Sequence, residues 1–124
     1  MTTPPGDMPL APLRSEFAND PDMAELVEAF VTELPQRVQA VAAAFTSGNV
    51  DDMKRLSHQI KGAAGGYGYP TVGDAAAKIE MSLKTSADPS AALKSMTREV
   101  QALVDLCCRA TAPFPHVKVA RPKF

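Results

Sequence analysis

The chain has 124 residues, 45% of them apolar, no tryptophan and a formal net charge of −1. That length suits one domain with a proper core, and the near-neutral charge argues against a nucleic-acid partner, which needs a basic excess. No apolar run approaches the ~20 residues of a membrane span. The opening MTTPPGDMPLAPLRSEF also lacks the basic-then-apolar layout of a secretory signal, so the expectation is a cytoplasmic protein with no membrane contact.

Residues 1–14, rich in proline and small residues, read as a flexible N-terminal arm, with a short helical turn expected at Ser15 to Asn19. Asp20-Pro21 has the form of an N-cap followed by proline in the first helical position. From there Met23, Leu26, Val27, Phe30, Val31, Leu34, Val38, Val41, Ala42 and Phe45 keep a helical period. Pro35 interrupts that run and predicts a kink or local break. Gly48-Asn49 closes one helix and caps the next, whose first turn carries Asp51 and Asp52. This second helix ends around Gly65 to Gly68. Pro70 permits a third, with Val72, Ala75, Ala76, Ile79 and Leu83 inward. Asp88-Pro89 opens a fourth, striped by Leu93, Met96, Val100, Leu103, Val104 and Cys107. The expected fold is all-α: an antiparallel up-down four-helix bundle over residues 15–111, with an irregular, basic C-terminal tail over 112–124.

The second helix carries the informative face. Met53, Leu56, Ile60, Ala64 and Tyr67 form its core stripe. At about 100° per residue, His58 points roughly 160° away from the middle of that stripe. Lys54, Asp51, Lys61, Gly62 and Gly65 share its side, so a histidine is presented to water beside a cation, with little bulk around it. Imidazole titrates near neutrality and is nucleophilic when neutral. Lys61, one turn on, reaches an anion carried by the ring, and Lys54 or Arg55 can add a second cation. A side chain at Gly62 would stand beside the ring and obstruct a partner; glycine there costs the helix on the order of 1 kcal/mol relative to alanine. Helix fraying toward a glycine-rich cap explains Gly65, Gly66 and Gly68 better than it explains Gly62.

The His-x-x-Lys-Gly pattern of His58, Lys61 and Gly62, followed by Gly68, resembles the histidine-containing phosphotransfer (HPt) domain. The Phe-x-x-Glu-Leu-Pro stretch from Phe30 to Pro35 adds to the likeness, which covers about residues 20 to 110. It implies a phosphoryl carrier, not an enzyme, with His58 as phosphoacceptor, Lys61 stabilising the phosphate charge and Gly62 giving clearance. Glu80 matches the glutamate that orients the histidine in chemotaxis-kinase relatives; the alternative is an exposed Glu80 paired with Lys84. The implied partners are receiver domains of response regulators or hybrid histidine kinases. They supply Mg²⁺ and most of the catalysis, and meet Lys54, Arg55, Gln59 and Gly65 on an exposed face. Small residues at Ala43, Ala44 and Ser47 suit flat docking. Ala63 departs from the serine many relatives have, but keeps the small size. Tyr67 is expected inward, and Tyr69 is a candidate for the partner surface.

The resulting expectation is a stand-alone monomer that passes phosphate between receiver aspartates. The alternatives are an HPt-like domain fed directly by a separate kinase and a non-phosphorylated helical adaptor that only docks receivers. Adjacent Cys107 and Cys108 suit neither a disulfide framework nor a zinc site and read as core residues. Ser57 points inward and His116 reads as a solvated loop residue. No metal site, and no cofactor bound by this chain, is predicted.

Overall fold

A computed structural model describes residues 12–111. They form β1 (Leu13–Arg14), α1 (Ala24–Ser47), α2 (Val50–Gly66), α3 (Pro70–Thr85), α4 (Pro89–Lys94), α5 (Thr97–Arg109) and β2 (Ala110–Thr111). The described residues are thus helical, with five helices and one two-residue parallel ladder.

Local chemistry sets most of the boundaries. Asp20 accepts from the Asp22 N–H, but only a turn follows, and α1 begins at Ala24 without a side-chain cap. The helix then continues through Pro35 to Ser47 with no break in its span. Gly48 ends it in the left-handed conformation, φ +69°, which glycine adopts without a Cβ penalty. Asn49 caps α2 by accepting from the Asp52 N–H at 3.0 Å, and Pro70 starts α3. Asp88 caps α4 through the Ala91 N–H at 3.2 Å.

Several local expectations are overturned. Residues 89–109 are not one helix: α4 stops at Lys94 and α5 starts at Thr97. Ser95 Oγ donates to the Ala92 carbonyl at 2.8 Å and the Met96 N–H bonds Leu93 O at 3.1 Å, tightening the chain where a continuing helix needs longer-range bonds. Ser15 to Asn19 make turns instead of a helical turn, because they are strapped to the α2–α3 connection. Ser15 Oγ donates to Tyr67 O at 2.6 Å, and the Glu16 N–H bonds Gly68 O at 2.8 Å. Gly68 sits at φ +86°, and a Cβ there would collide with Ser15 Oγ and the Glu16 nitrogen. Leu13 and Arg14, assigned to the arm by sequence, pair with Ala110 and Thr111. Residues 1–11 and the tail over 112–124, His116 included, lie outside the described residues.

Helix α1 packs on α2, α2 on α3, α3 on α4 and α5, and α5 returns to α1. One core lies between them, from Val27, Phe30 and Leu34 through Met53, Ile60, Ile79 and Leu83 to Leu93, Val100 and Leu103. Leu26, placed in the α1 stripe by periodicity, is 47% exposed. Tyr69 is fully buried instead of facing a partner, because the Gly68 turn delivers its ring against Phe30, at 5.6 Å between centroids. Ala44 is buried in the core and offers no docking surface.

Candidate functional site: a histidine on a buried glutamate

The site is built from α2 and α3, held close by small residues. A Cβ at Gly73 would meet the Lys61 carbonyl at 3.4 Å and the Gly65 nitrogen at 3.7 Å, so α3 lies almost against the α2 backbone. Ala64 and Ala76 are fully buried in the core that both helices share. Glu80 follows the inward Ile79, and the close approach carries its carboxylate under the outer face of α2 (side chain 5% exposed).

There it meets three groups. His58 Nδ1 lies 2.7 Å from Oε2, Lys61 Nζ lies 2.7 Å from Oε1, and Lys84 Nζ lies 3.3 Å from Oε2. The hydrogen bond from Lys61 is the main influence lowering the Glu80 pKa, from 4.5 to about 2. Burial opposes it, and hydrogen bonds from Lys84 and His58 add to it. A carboxylate held ionised can only accept. The His58–Glu80 bond therefore has Nδ1–H as donor, which leaves the lone pair of a neutral ring on Nε2. The His58 side chain is 65% exposed. In its neutral form, an exposed imidazole with one nitrogen tied to a fixed anion and the lone pair on the other is chemically a positioned nucleophile.

The surroundings are open. Gly62 and Gly65 are exposed, and among the described residues a Cβ at either would meet nothing within 4 Å. Packing among the described residues therefore does not demand a glycine at Gly62. Lys54 is half-buried. Arg55 and Gln59 are exposed and line a groove between α1 and α2 with Glu33 and Arg37. Arg55 is paired with Asp52 at 3.4 Å. Ser57 is fully buried, about 100° around the helix from His58, and its hydroxyl makes no hydrogen bond to the ring. Cys107 is buried, which pushes its thiol up to about 12. No three metal-ligating side chains come together among the described residues, and none of their helices is long and apolar enough to cross a membrane.

Sequence reasoning set the Glu80–His58 contact and the Glu80–Lys84 pair against each other. Both occur, on the same oxygen. The i, i+4 spacing signalled Lys84; its meeting with His58 and Lys61 on one carboxylate depends on the α2–α3 separation.

The Hpt domain family model matches residues 25–107. The chain belongs to the Hpt family. No curated protein and no solved structure matches it. Hpt domains are phosphocarriers instead of enzymes, they act in two-component signalling, and they interact with receiver domains in phosphorelays. The matched residues contain all of α2 and α3, and so the whole His58–Glu80 cluster.

Proposed function

We propose that this Hpt protein is a stand-alone, monomeric, cytoplasmic phosphocarrier that accepts a phosphoryl group on His58 and passes it between receiver aspartates. In this reading α1, α2, α3 and α5 form an antiparallel up-down bundle that serves as a rigid mount for the ring. The observation that supports it best is the exposed His58 with Nδ1–H on a buried, ionised Glu80. Attack by Nε2 forms the N–P bond as the aspartyl O–P bond breaks, and the aspartate leaves as carboxylate. The transition state is loose, so positioning and charge dominate. Glu80 offsets the positive charge that grows on the ring, and Lys61 moves onto the phosphoryl oxygens. Gly62 leaves room for the receiver to come within contact distance. Lys54, Arg55, Gln59 and Gly65 face the receiver, which supplies Mg²⁺; this chain holds no cofactor of its own.

Direct phosphorylation by a separate kinase is the second reading. Glu80 on the ring favours it, since the chemotaxis-kinase relatives share that glutamate. Mixing the chain with radiolabelled phospho-receivers, and separately with histidine kinases and ATP, distinguishes the two. Label arriving from a receiver and leaving to a second receiver is the expected result. Label arriving only from a kinase favours the second reading, and no label from either leaves a docking adaptor.

A further inference from the structure

Glu80 serves three nitrogen groups with two oxygens. Lys61 takes Oε1, while His58 Nδ1 and Lys84 Nζ share Oε2. The two lysines are not equivalent. Lys61 lies three residues from His58 on the same helix, within a turn of whatever the ring carries. Lys84 stands one turn beyond Glu80 on α3, on the carboxylate's own helix. We propose, resting on the phosphocarrier reading above, that Lys84 is a positioning residue, the cation that keeps Glu80 fixed on the His58 ring while Lys61 is drawn to the phosphoryl group.

The charge balance of the transfer requires such a group. When Nε2 donates its electron pair to phosphorus, the ring keeps its Nδ1–H and becomes cationic, and the phosphoryl oxygens remain anionic. An anion is then needed at Nδ1 and a cation at the phosphoryl group in the same state. As Lys61 moves outward it releases Oε1, and a carboxylate only 5% exposed loses its chief partner. Among the described residues, the groups facing that carboxylate are His58 and Lys61 from α2 and Lys84 from α3. Of the two lysines, only Lys84 is then left on Oε2. Being 54% exposed, it can be replaced without disturbing the core.

The test uses the full chain carrying Lys84→Met, Lys84→Arg, Lys61→Ala and the Lys61→Ala/Lys84→Met double substitution. Single-turnover transfer from a phospho-receiver is measured, together with the His58 tautomer ratio by ¹⁵N NMR on the unphosphorylated chain. Lys84→Met is expected to slow transfer about threefold, the scale of a partly exposed pair, and to lower the share of the Nδ1–H tautomer. Lys84→Arg should restore both. In the resting chain the double variant leaves Glu80 with no lysine, so its share of the Nδ1–H tautomer should fall below that of Lys61→Ala, which keeps Lys84 on Oε2. Wild-type transfer and tautomer ratio in Lys84→Met overturn the proposal, and so does a double variant whose tautomer ratio equals that of Lys61→Ala. If the wild-type chain takes no label from any receiver, the phosphocarrier reading fails instead. The tautomer ratio then decides alone whether Lys84 holds the ring.

Discussion

Replacing Glu80 by glutamine keeps an acceptor for His58 Nδ1–H but removes the negative charge, and its effects can be sized from the structure. The Glu80 pKa lies at about 2 against an ordinary 4.5. At about 1.4 kcal/mol per unit that gap amounts to ~3 kcal/mol, but the His58, Lys61 and Lys84 side chains are 65%, 41% and 54% exposed. Solvent screening of such partners reduces the contribution to about 1 kcal/mol. The sign follows from the direction of the shift. A depressed carboxylate contributes stability that is fully present above the unfolded value of 4.5 and is lost as pH falls toward 2. Urea unfolding of wild type and Glu80→Gln should therefore differ by about 1 kcal/mol at pH 7, with the difference fading between pH 4.5 and 2. Transfer at pH 7 should slow about fivefold, since a charge-assisted hydrogen bond is worth roughly 1 kcal/mol more than a neutral one. A stability gap that ignores pH, or a glutamine variant that transfers at the wild-type rate, would refute the role given to this carboxylate.

Two glycines should respond in opposite ways. Gly62→Ala is expected to stabilise the chain by roughly 0.5–1 kcal/mol, because the added Cβ meets nothing. Gly62→Glu should fold normally yet slow transfer by roughly tenfold or more, through bulk and like charge beside the phosphoryl group. Wild-type transfer by Gly62→Glu would show that partner approach does not need the clearance. At Gly68, alanine must take φ +86° and push against the Ser15–Glu16 strap, which should cost on the order of 1–3 kcal/mol in thermal or urea unfolding. An unchanged midpoint would mean that the strap yields freely.

The helix starts and stops that carry the site were legible because each rests on a local signal: Gly48 and Asn49 between α1 and α2, Pro70 at the start of α3, Asp88-Pro89 at α4. The break at Ser95–Met96 was hidden, because Leu93, Met96 and Val100 keep one 3.6-residue period across it and all three remain buried. At Pro35 there is no break: the helical span of α1 continues through it, with Val31, Leu34 and Val38 buried on both sides. The ladder of Leu13–Arg14 with Ala110–Thr111 is too short to show any period. For the site, the outward placement of His58, Lys61 and Gly62 followed from angle alone. The burial of Glu80 did not, because it depends on how closely Gly73 lets α3 approach α2. Tyr69 went astray for a related reason: its direction is set by the Gly68 turn and not by a helical period.

The most direct test is the chemistry of the phosphate on the chain itself. After incubation with a phospho-receiver, wild type should carry an acid-labile, base-stable phosphate, and His58→Gln should carry none while keeping its helical circular dichroism. Label that persists in His58→Gln, or a wild-type phosphate that is acid-stable, would contradict the account.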